Sequence, residues 1–241
     1  MIKAILFDMD GTLLPMDIEK YTSGYFKEIG AYMSSYGYDP KELIKGIWKG
    51  TEAMVKNNGL LSNEDVFWKT FSAVLGFDAT QDLPLFTNFY KEKFDQIKST
   101  CGYTKDAAKL IEFLKEKKVE LILATNPIFP MIAQTKRLAW AGIKDSDFSW
   151  ITSYENSHYC KPNLKYYEEI LSHFPYQSNE CLMIGNDVGE DMVARNLGMK
   201  VFLLTDCLIN KDKMDINTFP HGDYDALFTY LKQEIFSKDL A

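Results

Sequence analysis

Ala4-Ile5-Leu6-Phe7-Asp8-Met9-Asp10-Gly11-Thr12-Leu13 runs from four consecutive apolar residues straight into two carboxylates two positions apart. A short apolar run of this kind reads as a buried strand. Carboxylates are costly to bury unless they are paired or metal-bound. An acidic pair where a buried strand leaves the core is therefore a functional candidate. In an open parallel sheet, ligands bind at that carboxyl edge.

Further on, the chain alternates. Val119–Ala124, Phe148–Thr152, Cys181–Ile184 and Lys200–Leu204 read as strands. Thr104–Lys117, Met131–Ala141, Leu164–His173, Glu190–Leu197 and Tyr224–Phe236 read as helices. Continuous apolar strands alternating with helices predict an α/β fold with a parallel, Rossmann-like sheet. Between the first strand and this region the pattern differs. Asp17–Tyr36, Pro40–Asn58, Ser62–Leu75 and Leu83–Ile97 read as four helices with no strand among them. Gly37, Gly59 and Gly76 suit helix ends, and Ser62-Asn63-Glu64-Asp65 offers a capping start. The expected organisation is a core of residues 1–15 and 99–241, interrupted by an all-helical insertion of residues 16–98. The aromatic stripe of that insertion, including Tyr21, Tyr25, Trp48, Phe67 and Trp68, reads first as helix-bundle core and second as pocket lining.

Bulk composition narrows the partners. The 241 residues are 46% hydrophobic with a net charge of -7, and no Lys/Arg-rich run occurs. A nucleic-acid footprint needs a concentrated basic face, so nucleic acid is not expected, and the acidic balance gives no attraction to anionic membranes. No apolar stretch reaches the roughly 18–20 residues that span a bilayer. The first residues read as a strand, and no signal peptide is expected. Cys101, Cys160, Cys181 and Cys207 are scattered, without metal or disulfide spacing. A reducing cytoplasm is the expected setting.

The strand ends share a chemistry. The first ends in Asp8-Met9-Asp10, the second in Thr125-Asn126, and Lys161-Pro162 follows the third. Cys181–Ile184 ends in Gly185-Asn186-Asp187, with Asp191 four residues later. A parallel sheet would bring these ends to one edge. Clustered carboxylates need a cation, and Mg²⁺ takes hard oxygen ligands and completes its shell with water or phosphate. Asp8 and Asp187 are the candidate ligands. A carboxylate there can also attack phosphorus. Thr125 and Lys161 could hold the phosphoryl oxygens, and Asp10 could carry the proton of the leaving group.

These residues resemble, in order, the four motifs of the haloacid dehalogenase-like hydrolase superfamily, of the phosphatase kind with a helical cap. Asp8-Met9-Asp10-Gly11-Thr12-Leu13 matches the first, Thr125 the second, Lys161-Pro162 the third and Gly185-Asn186-Asp187-Val188-Gly189-Glu190-Asp191 the fourth. The resemblance implies Asp8 as nucleophile and metal ligand. It implies Asp10 as acid/base and as a metal ligand through its carbonyl. Thr125, Asn126 and Lys161 would bind the substrate phosphate, Asp187 would bind Mg²⁺, and Asp191 would support Lys161 or the metal's water. The dehalogenase branch lacks the aspartate at Asp10, which favours phosphate-ester hydrolysis. Asn186 departs from the commoner Gly-Asp start of the fourth motif, and Glu190 is an alternative metal ligand. The expected function is Mg²⁺-dependent hydrolysis of a small phosphorylated metabolite through an aspartyl-phosphate. A sugar phosphomutase with the same apparatus is the alternative. A non-enzymatic phospho-aspartate switch is a third, disfavoured by Asp10 and by the large insertion.

Overall fold

The computed structural model describes residues 1–237. Six parallel strands form one sheet: β1 (Ala4–Phe7), β2 (Glu120–Leu123), β3 (Trp150–Ile151), β4 (Cys181–Gly185), β5 (Lys200–Leu204) and β6 (His221–Gly222), in the order β3-β2-β1-β4-β5-β6. β1 lies at the centre, with Phe7 opposite Leu123 on one side and Ile184 on the other. β1 and β4 are apolar throughout, and β2 and β5 are apolar after their first residue, because both faces are covered. Ile5, Phe7, Leu121, Leu123, Leu182 and Ile184 belong to one core. Ala4, Leu6, Ile122, Cys181 and Met183 belong to the other. This is the period-two alternation of a strand seen from both sides. The strand order reverses direction at β1, so the crevice beyond the ends of β1 and β4 is the topological switch point.

Four helices lie between β1 and β2: α1 (Ile18–Ser34), α2 (Pro40–Val55), α3 (Asn63–Leu75) and α4 (Leu83–Glu92). Asp17 and Asp39 accept amide hydrogen bonds at the starts of α1 and α2, and Ser62 does so for α3. These caps satisfy amides that have no partner inside the helix. The buried aromatics of these helices are continuous with the sheet core that contains Phe7. The chain enters and leaves the insertion through paired segments. Met16 bridges Cys101 antiparallel, and Gly102 N–H donates to the Pro15 carbonyl at 2.8 Å.

Helices α5 (Lys105–Glu116), α6 (Met131–Trp140), α7 (Leu164–Ser172) and α8 (Tyr224–Tyr230) flank the sheet. Three expectations are corrected. The helix expected over Leu83–Ile97 ends at Glu92, and a 3₁₀ segment, Phe94–Thr100, follows. The helix expected over Glu190–Leu197 is a 3₁₀ segment, Met192–Leu197, stopped by Gly198 in the left-handed region. The last expected helix changes to a π-turn at Leu231–Ile235. A strand beyond those expected, β6, places half-buried His221 at the sheet edge, where it and Gly222 pair with Leu203 and Leu204.

Candidate active site

Asp8 is the first residue beyond β1, and its backbone N–H donates to the Ile184 carbonyl at 2.9 Å. The carboxylate is therefore held between two central strands. Lys161, from the loop before α7, is completely buried. Its Nζ donates to Asp8 Oδ1 at 2.8 Å and to Asp191 Oδ1 at 2.6 Å. Burial pulls the Lys161 pKa down, but the Asp191 and Asp8 carboxylates outweigh it and keep the ammonium charged. Burial pushes the Asp191 carboxyl up, against the pull of Lys161.

Asp191 has a second task. Its Oδ2 accepts the Asp187 N–H at 2.9 Å, folding the loop after β4 back on itself. The approach needs Gly185, because a Cβ there would lie 2.1 Å from Asp191 Oδ2. Asp187 Oδ1 accepts from the amides of Gly189 and Glu190 at 2.8 and 3.0 Å, which leaves Oδ2 for another partner. The unusual Asn186 has a structural explanation. Its Oδ1 accepts from Thr12 Oγ1 at 3.0 Å and its Nδ2 donates to the Cys207 carbonyl at 2.6 Å. Asn186 thereby ties the turn after β1 to the loop after β4. Gly11, at φ +90°, gives it room, since a Cβ there would lie 2.2 Å from Asn186 Nδ2.

Thr125 is buried at the end of β2. Its carbonyl accepts from Thr152 Oγ1 at 2.7 Å and from Tyr166 Oη at 2.8 Å, which fixes the backbone that presents the hydroxyl. Asn126 Nδ2 donates to Glu190 Oε2 at 3.1 Å, while Asn126 Oδ1 is buried without a partner. Burial pushes the Glu190 carboxyl up, and Lys161 pulls it down. Tyr167 Oη holds the Glu190 carbonyl at 2.7 Å. Asp8, Lys161, Asp191, Asp187, Thr125 and Asn126 thus all stand at one end of the sheet, on the strand ends or the loops that leave them.

The exposed oxygens suit a hard cation. Among the described residues no three His, Cys, Asp or Glu side chains converge as a metal-binding group. Mg²⁺ does not require that, since it keeps waters and uses one or two carboxylates plus phosphate. The uncommitted Asp187 Oδ2 and the orphaned Asn126 Oδ1 are acceptors of the right chemistry. Fit is thus by donor type.

Asp10 is placed differently from its neighbours. Arg137 Nη1 on α6 donates to Asp10 Oδ1 at 2.8 Å and to Oδ2 at 2.6 Å. Arg137 is completely buried, hydrogen-bonded to Gln134, with its guanidinium 4.7 Å from the centre of the Phe129 ring. Burial pushes the Asp10 carboxyl up, Arg137 pulls it down, and the net direction is upward. Sequence reading passed over Arg137, although an arginine four residues from the buried Ala133 and from Ala141, on one helix face, was a signal.

Asn63, at the start of α3, was also passed over. It is fully buried, and its N–H donates to the Ser157 carbonyl at 2.8 Å. Its Nδ2 donates to the Pro127 carbonyl at 3.2 Å. It therefore joins the insertion to the loops that carry Asn126 and Lys161. His158 pairs with Glu169, and His173 stacks on Trp150. Burial pushes the Cys160 thiol up to about 12.

The profile described as haloacid dehalogenase-like hydrolase matches residues 2–198. No curated protein matches the sequence significantly. Solved structures agree in fold. A HAD phosphatase from Thermococcus onnurineus is 16% identical, with a TM-score of 0.58 over 96% of this chain and 97% of that one. A predicted phosphoglycolate phosphatase from Haemophilus somnus 129PT is 18% identical, with a TM-score of 0.57 over 95% and 97%. A HAD family enzyme from Bacteroides thetaiotaomicron, in complex with magnesium and inorganic phosphate, is 19% identical, with a TM-score of 0.54 over 88% and 98%. At these identities the structural likeness speaks to the fold alone, whereas the profile spans all four motifs: the chain belongs to the haloacid dehalogenase-like hydrolases.

Proposed function

We propose that this hydrolase is a phosphatase that cleaves the phosphate monoester of a small molecule, with the phosphoryl group carried transiently on Asp8. The observation that carries the reading is the buried set Asp8–Lys161–Asp191 at the carboxyl edge of β1 and β4. Lys161 fixes one oxygen of Asp8 and leaves the other to attack. That oxygen bonds to phosphorus, the bond from phosphorus to the alcohol oxygen breaks, and Asp10 gives its proton to the departing oxygen. Asp10, now ionised, takes a proton from a water that attacks the same phosphorus. The bond to Asp8 breaks, inorganic phosphate leaves and the Asp8 carboxylate returns.

Thr125, Asn126 and Lys161 hold the phosphoryl oxygens, and positioning and charge supply most of the rate in such a transfer. Asp191 keeps Lys161 aimed and charged. Asp8, Asp187 and the Asp10 carbonyl are the residues that would hold Mg²⁺, which when bound offsets negative charge on the phosphoryl oxygens. The Bacteroides enzyme, solved with magnesium and phosphate, supports that choice of ion. Residues 16–98 act as a cap over the site, with the paired Pro15-Met16 and Cys101-Gly102 segments as its hinge. All four cysteines are free thiols, in keeping with a reducing cytoplasm. Among the described residues no helix is long and apolar enough to cross a membrane.

The test is phosphate release from acetyl phosphate and simple monoesters, with Mg²⁺ and with a chelator. Mg²⁺-dependent release that is lost in Asp8→Asn supports the reading. No release from any of them with Mg²⁺ present, or full activity in Asp8→Asn, overturns it. Conversion of a sugar 1-phosphate to its 6-phosphate without net release would instead favour the mutase.

A further inference from the structure

A cavity of about 170 Å³ lies between the helical insertion and the sheet, with Asp10 in its wall. The other walls are aromatic: Tyr21, Tyr25, Trp48 and Trp68 from the insertion, and Phe129 from the loop after β2. Trp48 is about half exposed, at 53%, and marks the mouth. Lys49 and Lys56, beside it on α2 and just beyond, turn to Glu52 at 2.8 and 2.7 Å and line no part of the cavity. Asp10 is the only charged residue among those lining it. Arg137, outside this lining, donates to Asp10 and Gln134.

One polar atom in this aromatic wall is left over. Tyr21 Oη is buried without a hydrogen-bond partner, in a residue only 4% exposed. The Tyr25 and Tyr90 hydroxyls, by contrast, satisfy each other at 2.9 Å, and the Trp68 indole is turned to the Tyr154 hydroxyl. Buried polar groups are nearly always paired. An orphaned hydroxyl in an apolar cavity points to an occupant that carries an acceptor. Burial pushes the Tyr21 hydroxyl up, so it stays a donor across the working pH range.

Position and size say what the occupant is. Asp10 protonates the leaving oxygen, so the group attached to that oxygen sits on the side of Asp10. An apolar protein cavity of about 150 Å³ holds one benzene. The space therefore matches a single six-membered ring. With no free cation in the wall, a second phosphate or a carboxylate on the leaving group would be buried unpaired, which is costly. A sugar would leave several hydroxyls against aromatic faces.

We propose that the substrate is the phosphate monoester of a neutral, single-ring apolar alcohol that bears an acceptor for Tyr21. This proposal rests on the phosphatase reading above. It places the esters of hydroxy acids and sugars, and any bisphosphate, among poor substrates.

The experiment compares kcat/KM, with Mg²⁺, for benzyl phosphate, 4-methoxybenzyl phosphate, glucose 6-phosphate and 2-phosphoglycolate, all esters of primary alcohols. Acetyl phosphate serves as a small probe of the core chemistry. The benzyl esters are expected to exceed the sugar and glycolate esters by about tenfold or more, the scale on which an apolar pocket discriminates. Thr51→Phe places a ring in the cavity from α2 and is expected to lower the benzyl to acetyl phosphate ratio by about tenfold. Turnover of acetyl phosphate with glucose 6-phosphate or 2-phosphoglycolate equal to or better than benzyl phosphate overturns this proposal and leaves the phosphatase reading standing. An unchanged ratio in a folded Thr51→Phe also overturns it. No turnover of any of the five overturns the phosphatase reading itself.

Discussion

Arg137 Nη1 donates to both carboxylate oxygens of Asp10, at 2.8 and 2.6 Å, from a completely buried position. A permanent cation on α6 therefore holds the proposed proton carrier. The pairing matters because a buried ion pair that loses one partner leaves an uncompensated charge, at a cost of about 3–5 kcal/mol.

The first prediction concerns pH. The groups acting on Asp10 are burial and Asp8, which raise its pKa, and Arg137 and Lys161, which lower it, with a net upward shift. As the acid, Asp10 must be protonated, so the rate falls as pH rises through its raised pKa. Arg137→Gln removes a downward pull. The alkaline limb of kcat/KM against pH is expected to move to higher pH in that variant. A limb that stays or moves down would contradict the assignment of Asp10 as the acid under Arg137's control.

Lys161 offers a stability test. It lies between two buried carboxylates, so Lys161→Met is expected to destabilise by about 3–5 kcal/mol. Removing one of those charges as well should return part of the loss. The double variant Lys161→Met, Asp191→Asn is therefore expected to be more stable than the sum of the single effects predicts. Urea unfolding of the four proteins measures it, and strict additivity would show that the two side chains do not interact.

Asn63 joins the helical insertion to the loops of Asn126 and Lys161. Asn63→Ala leaves the Pro127 carbonyl without its side-chain donor, and a loss of about 1–3 kcal/mol is expected. Thermal unfolding checks this, and unchanged stability would mean that the contact contributes nothing to docking.

Much of the sheet and of the motif placement was legible because β1 and β4 are unbroken apolar runs and β2 and β5 are apolar after their first residue. A strand buried on both faces leaves no other pattern. β6 was not legible, since His221-Gly222 has no apolar run and is drawn into the sheet by Leu203 and Leu204. The 3₁₀ character of Met192–Leu197 escaped notice because apolar spacing does not separate it from an α-helix over six residues. The partner of Arg137 was not legible for another reason: Asp10 is 127 residues away in the chain, and only the fold brings them together. The aromatic stripe carried both readings at once. Tyr21 is buried in the helix packing, yet its unpaired hydroxyl belongs with a cavity.

The most direct measurement is a rapid acid quench of the Mg²⁺-loaded enzyme during turnover of a phosphate-labelled ester, followed by peptide mapping. An acid-stable, hydroxylamine-labile phosphate on the peptide containing Asp8, absent in Asp8→Asn, is the predicted result. Sustained turnover with no label on Asp8, or label that persists when Asp8 is replaced, would contradict the account.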